Sequence, residues 1–405
     1  MSKSFAPRTA HMTMSMLAIA LITGLIVSGC GGSSSSSSSG SSSSSQTASS
    51  SESGSSDASS KGVEEAQAAI VEIRKPPTKF GITVPLKEKP TSATVAFMKC
   101  GVPECAAIDK SLEPAAKAMG VKLQSISIGN TPQTIADGFN TAIETHPDAV
   151  IVPATDPVIW QPQLKKLRAE GIPILSWYLP ENIKTDPAAQ GILTNTYDTN
   201  DAENVGKLMA DFVVAESNGE AHVVDVEVPE YTIFKVQAEA FKEELERACP
   251  ECSVESLKSH AEDIGTKIPG AVVSNLQQHP ETNWVVFDFG SIESGVPQAL
   301  AAAGLSEQAK LISASGESNN YEAIKNGEEF ATLAVDLHYL AWQGIDAAGR
   351  AITGQSVAPD GPGNVPMQIL KQEDINFEPS EEWVGIPGYE QKFEELWAGK
   401  TPAGN

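Results

Sequence analysis

Short β-branched runs alternate with amphipathic stretches along most of this chain. TVAFM (94–98), VKLQSISI (121–128), AVIV (149–152) and IPILSW (172–177) have the length and composition of buried strands. Between them, 105–119, 132–145 and 158–170 are amphipathic and of helical length. After a linking strand near 191–194 the pattern restarts. Strands are predicted at 221–228, 253–257, 284–288, 310–314 and 331–335, and helices at 201–216, 232–247, 264–278, 293–303 and 319–326. Alternation at these lengths predicts an α/β fold of two doubly wound parallel-sheet (Rossmann-like) lobes. A weak echo between AIETHPDAVIV (142–152) and NLQQHPETNWVVF (275–287) supports duplication. In both, His-Pro closes a helix, so His146 and His279 read as caps rather than ligands.

The N-terminal pattern is different. Lys3, Arg8 and His11 precede an apolar run, MLAIALITGLIV (16–27), too short for a bilayer core of roughly 30 Å and suited to the h-region of a secretory signal. It ends in Val27-Ser28-Gly29-Cys30, which resembles the lipobox of bacterial lipoproteins and implies lipidation of Cys30. Residues 1–30 are therefore set aside as a lipoprotein signal. The next thirty, 31–60, contain twenty Ser and bury nothing; they are expected to form a coil tether spanning about 30 Å. VEEAQAAIVEIRK (63–75) has helical spacing and stops at Pro76-Pro77, so 61–91 is expected to be an arm lying on the first lobe.

With 405 residues the chain has room for two or three domains, and 28 Lys+Arg against 52 Asp+Glu give a net charge of −24. That balance argues against a nucleic-acid partner, whose phosphates are held by basic patches. The four cysteines beyond Cys30 form two close pairs, Cys100 with Cys105 and Cys249 with Cys252. Outside the cell such pairs favour local disulfides; a four-thiolate zinc site, a redox centre and free thiols are the alternatives.

Ligands of open α/β sheets sit beyond the carboxyl ends of the strands. That rule nominates Lys99, Glu104, Thr155, Asp156, Trp177 and Tyr178 in the first lobe. In the second lobe or at its hinge it nominates Tyr231, Lys235, Asp288, Phe289, Ser315, Glu317, Asp336 and His338. Aromatic faces among carboxylates and a few cations suit a small polar ligand with a C–H face, such as a sugar or polyol. No H-E-x-x-H, G-x-S-x-G, S-x-x-K or P-loop motif occurs, and Ser313, Ser315 and Ser318 beside Glu317 lack a neighbouring His, so a surface-anchored hydrolase is a remote alternative.

GIPILSW (171–177), GVPQALAAAG (295–304), NGEEFATLAVD (326–336) and WQGIDAAGRAITGQ (342–355), in this order behind a lipobox and tether, resemble the type I periplasmic binding proteins. The likeness is to the ribose-type solute-binding lipoproteins of ABC importers and covers about 93–370. It implies a three-strand hinge crossed near Thr196 to Thr199, Val335 to Leu337 and Asn364 to Met367. Lobe 1 would then hold 93–197 and 337–364, and lobe 2 would hold 198–336 and 366–395. It further implies a monomer without cofactor or metal, at the outer face of the cytoplasmic membrane, whose hinge closure delivers a solute to a permease with its ATPase. A ligand sensor docking on a membrane receptor is the alternative. The family's sugar binders carry Asp-Arg after the fourth strand, where this chain has Tyr178-Leu179. They carry Asn-Asp after the strand matching 284–288, where it has Phe289-Gly290. The resemblance thus implies transport and leaves the solute open.

Overall fold

The computed structural model describes residues 53–180, 187–360 and 365–402; Cys30 and most of the tether lie outside them. The first described element is α1 (Ser53–Ile73), which begins eight residues inside the segment expected to be coil. Val63 and Ala66 on it are buried, and Gly62 lets its backbone approach Ala248 so closely that a Cβ would overlap the carbonyl there. Docking against a partner thus extends a helix into sequence that would not hold one alone.

The apolar runs that follow become one parallel sheet. β1 (Thr94–Cys100), α2 (Pro103–Met119), β2 (Lys122–Gly129), α3 (Pro132–Thr145), β3 (Ala149–Pro153), α4 (Gln161–Ala169), β4 (Ile174–Trp177) and β5 (Ile192–Thr196) give the strand order β2-β1-β3-β4-β5. β3 and β4 are buried along their whole length, as strands with helices on both faces must be.

The second sheet contains β6 (His222–Glu227), β7 (Ser253–Lys258), β8 (Trp284–Phe287), β9 (Lys310–Ala314), β10 (Ala331–Val335) and β11 (Met367–Leu370), in the order β11-β10-β9-β8-β6-β7. All pairs are parallel except β10 with β11, where Thr332 lies opposite Leu370. Its helices are α5 (Thr199–Ser217), α6 (Thr232–Ala248), α7 (Ile268–Gln278), α8 (Val296–Ala303) and α9 (Ser318–Asn326). α10 (Leu337–Ile352) leaves the second sheet and packs on α2 and β3 of the first. Two crossings are capped by carboxylates. Asp198 accepts from the amides of Asn200 and Asp201 to start α5, and Asp336 accepts from Tyr339 N at 2.8 Å to start α10.

Two assignments need correction. α11 (Tyr389–Trp397) packs on α10 and α2, so the chain after β11 returns to the first lobe instead of staying in the second through residue 395. Its Trp397 stacks on Trp342 with centroids 5.3 Å apart. The arm also does more than lie on the first lobe. α1 packs on α5 and α6, and Arg74 pairs with Glu373 and Asp374 after β11, all on the second lobe side. Beyond Pro77 the arm covers the first lobe: Phe80 meets Tyr339 and Phe393 edge-on, Arg350 donates to Val84 O at 2.6 Å, and Leu86 N donates to Leu396 O.

Both cysteine pairs are bonded, Cys100 to Cys105 and Cys249 to Cys252. Among the described residues no group of His, Cys, Asp and Glu could hold a metal ion.

Candidate functional site

The seam between the lobes is built from strand ends. Ala154 after β3, Tyr178 after β4, Tyr197 after β5 and Ser315 after β9 have φ of 44°, 58°, 61° and 49°, a backbone region that costs a non-glycine residue roughly 1–2 kcal/mol. Ladder bonds hold three of these turns: Ala154 N donates to Trp177 O, Tyr178 N to Thr196 O, and Ser315 N to Leu333 O. Strain sustained in this way clusters where side chains are positioned for function.

Glu104 comes from the first lobe. It sits in the first turn of α2, inside the loop that the Cys100–Cys105 bond closes, so the disulfide fixes the chain on which it is carried. Its backbone N–H donates across the seam to Ser291 Oγ at 3.1 Å, and Ser291 Oγ donates in turn to the Glu317 carboxylate. A second link runs from Tyr231 OH to Asn130 Oδ1, which also accepts from Gly101 N. Glu104 Oε1, Tyr178 OH and Ser315 Oγ are all buried without a hydrogen-bond partner. The three are neighbours: the Tyr178 phenol faces the Glu104 carboxyl and the Ser315 hydroxyl in loose polar contacts that fall short of well-formed hydrogen bonds.

Aromatic rings form the rest of the seam. Tyr178 lies 4.5 Å from Tyr197 and 6.0 Å from Phe234, and Phe234 stacks on Phe289 at 4.7 Å, with Tyr231 edge-on to Phe289. In this apolar setting desolvation dominates. It pushes the Glu104 carboxyl well up, with the Glu317 charge adding to the effect, and it raises Glu317 to about 7 despite the Ser291 bond. Glu382, across the seam, is raised for the same reason. Beside these acids runs a groove of about 500 Å³, lined by Lys110, Ser111, Glu317, His338 and Glu382 among others.

Two α/β lobes whose strand ends face each other, with polar groups of both meeting in the seam, make a trap for a small molecule. The family described as "Periplasmic binding protein domain" matches residues 104–356. The chain belongs to that family. This periplasmic binding protein is accordingly a solute-binding protein that acts outside the cytoplasm, and it is not an enzyme. No curated protein matches it by sequence. Solved structures similar to it include a solute-binding protein of an ABC transporter from Agrobacterium vitis bound with α-D-tagatopyranose (TM-score 0.62, 18% identity, 72% of this chain and 99% of that one). A carbohydrate transporter protein from Acidothermus cellulolyticus in complex with myo-inositol gives 0.59, 19%, 70% and 96%. A 5-methylthioribose transporter solute-binding protein from Thermotoga lettingae gives 0.63, 16%, 76% and 99%. At these identities the likeness is one of fold.

Of the residues nominated from sequence, the structure brings Glu104, Tyr178, Tyr231, Phe289, Ser315 and Glu317 together in the seam. His338 lies at its edge, where Nδ1 is 2.8 Å from Ser111 Oγ and Nε2 faces Glu381 O. The others are engaged elsewhere. Lys99 pairs with Asp109 at 2.9 Å, Thr155 bonds back to Pro153 O, Asp156 accepts from Val158 N, and exposed Lys235 pairs with Glu239. Asp288 is buried near the second lobe's acids Asp225 and Glu227 with Lys242, and Asp336 caps α10 while also accepting from Gly385 N. Trp177 is a core residue and not a rim one. It is 2% exposed beside Phe97, and Gly344 of α10 lies so close that a Cβ there would overlap the indole. Ser291, Phe234 and Tyr197 were missed. They lie on a 3-10 turn, inside a helix and at a crossing, where the strand-end rule does not reach.

Two outcomes follow from this geometry. Trp177→Ala should cost about 3–5 kcal/mol of unfolding free energy through the cavity it leaves, read in urea denaturation, whereas a variant as stable as the parent would return Trp177 to the rim. The buried acids set the pH response. Asp336 is raised to about 6, Asp225 and Glu317 to about 7 and Glu329 to about 8, each mainly by desolvation. Such groups hold a proton more tightly folded than unfolded, so their stability contribution is whole below the unfolded value near 4 and is lost as pH climbs through 6 to 8. Carboxylates with lowered values, such as exposed Glu281, act oppositely, and their contribution is lost only as pH falls below the ordinary carboxylate range. The melting temperature should therefore fall from pH 5.5 to 8.5; a rise over that interval would contradict the assignment.

Proposed function

We propose that this protein is the solute receptor of an ABC importer, held at the outer face of the cytoplasmic membrane by a lipid on Cys30 and working as a monomer with a permease and its ATPase. Glu104, Tyr178, Ser291, Ser315 and Glu317 contact the solute, and Tyr231, Phe234 and Phe289 stack against its C–H face. One observation carries the reading: polar atoms from both lobes, Glu104 Oε1 and Tyr178 OH on one side and Ser315 Oγ on the other, are buried at the seam with only loose contacts to one another and no well-formed hydrogen bond. Leaving such groups unmatched costs about 1–3 kcal/mol each, a cost removed when a hydrogen-bonding solute lies between the lobes. Similar folds that hold tagatopyranose and myo-inositol support a sugar or sugar-like solute. The lobes, joined by several chain crossings, close by rotation about them.

The test begins with thermal shifts of the full chain against sugars, polyols and their amine derivatives, since a solute at 100 times its Kd adds about 2.7 kcal/mol. A strain lacking the gene is then complemented with the parent, Glu104→Gln or Cys30→Ser, and uptake of the hit is measured. The parent should restore uptake, Glu104→Gln should fold and lower it by tenfold or more, and Cys30→Ser should leave the membrane fraction. Full uptake with Glu104→Gln would remove the residue from the site, and membrane retention of Cys30→Ser would refute the anchor.

A further inference from the structure

Of the acids at the seam, Glu382 faces His338 and Lys110 without pairing with either. Among the described residues no Lys, Arg or His forms an ion pair with Glu104, Glu317 or Glu382. Lys99 is taken by Asp109, Lys235 by Glu239, and Lys242 by Glu227 and Asp225. Lys110 stands at the mouth of the groove, exposed. Glu104 is 5% exposed and Glu317 is 6% exposed, so water is kept from both carboxyls. A neutral polyol would meet them as neutral acids and gain ordinary hydrogen bonds. A cation would draw their protons off and pair with the carboxylates, an attraction that the apolar enclosure strengthens. The rings around the acids fit the same end of a ligand, because Tyr178, Tyr197, Phe234 and Phe289 offer π faces that attract ammonium groups within about 6 Å. Beside the acids, Tyr178 OH and Ser315 Oγ, each more than nine-tenths buried, make no well-formed hydrogen bond and can accept from N–H or O–H groups of a ligand.

We propose that the solute carries a cationic nitrogen, seated among the seam's aromatic rings with its charge toward Glu104 and Glu317, so that the site selects organic ammonium compounds over their neutral counterparts. This rests on the solute-receptor reading and narrows it. The chemistry is shared by aminated sugars and by small quaternary amines, and the distribution of N–H donors separates them: Tyr178 OH and Ser315 Oγ have use for a primary amine or hydroxyls, whereas the rings alone suffice for a quaternary one.

The experiment is isothermal titration of the full chain with matched pairs: glucosamine against glucose, an aminocyclitol against myo-inositol, and choline against 3,3-dimethylbutan-1-ol. At least one ammonium member should bind about tenfold or more tightly than its neutral partner. In Glu104→Gln, which keeps shape and removes charge, the ammonium member should lose more affinity than the neutral one, so that the ratio falls to near unity. Tyr178→Phe serves as the second variant; it should weaken glucosamine and the aminocyclitol more than choline. Neutral members binding as well as or better than their ammonium partners would overturn the inference and leave the solute-receptor reading standing. An ammonium preference that survives Glu104→Gln would overturn it as well. Absence of binding by every ammonium probe also counts against it, and if the broader solute screen is silent too, the receptor reading falls with it.

Discussion

Everything at the seam follows from burying two carboxyl groups, Glu104 of one lobe and Glu317 of the other, where none of the described bases forms an ion pair with them. Water is excluded from both, so neither can ionise cheaply and each holds its proton to unusually high pH. The surrounding structure exists in part to keep them there. A disulfide clasps the loop that carries Glu104, Ser291 ties the α2 amide to Glu317, and left-handed turns at the strand ends set Tyr178 and Ser315 beside them.

That arrangement also explains why the scaffold around it is so heavily cross-braced. α10 and α11 fasten the second half of the chain to the first lobe, and the arm before β1 is fixed at both ends, by α1 on the second lobe and by Phe80 and Leu86 on the first. A hinge flanked by such segments moves as a rotation between rigid bodies and not as a local unfolding, which keeps the acid pair intact on its separate halves when the lobes part.

Much of this was legible in the sequence. The alternation of apolar runs with amphipathic stretches placed β1 to β10 and α2 to α9 but assigned nothing to α10, β11 or α11, and the strand-end rule nominated Glu104, Tyr178, Ser315 and Glu317. Trp177 failed for a definite reason. A strand buried on both faces has no polar alternation to say which side faces the cleft, and here the indole turns toward α10, where Gly344 makes room for it. Ser291 and Phe234 carried no local signal at all, since what makes them part of the site is a partner in the other lobe. The same is true of α11, whose place on the first lobe is decided by contacts with α10 and α2. α1 outran its predicted start because contacts with α5 and α6 outweigh the poor helix propensity of the serine segment.

The central claim is that the seam's acids wait, protonated, for a positive charge that the solute brings. Counting protons tests it directly. Titration calorimetry of the ammonium solute near pH 7, repeated in buffers of different ionisation enthalpy, reports the protons exchanged on binding. Tyr178, Tyr197 and Tyr231, which also face Glu104, are pushed upward by burial and stay neutral at this pH. The account predicts net proton release as Glu104 and Glu317 ionise against the bound cation. Proton uptake, or binding with no exchange at all, would contradict it.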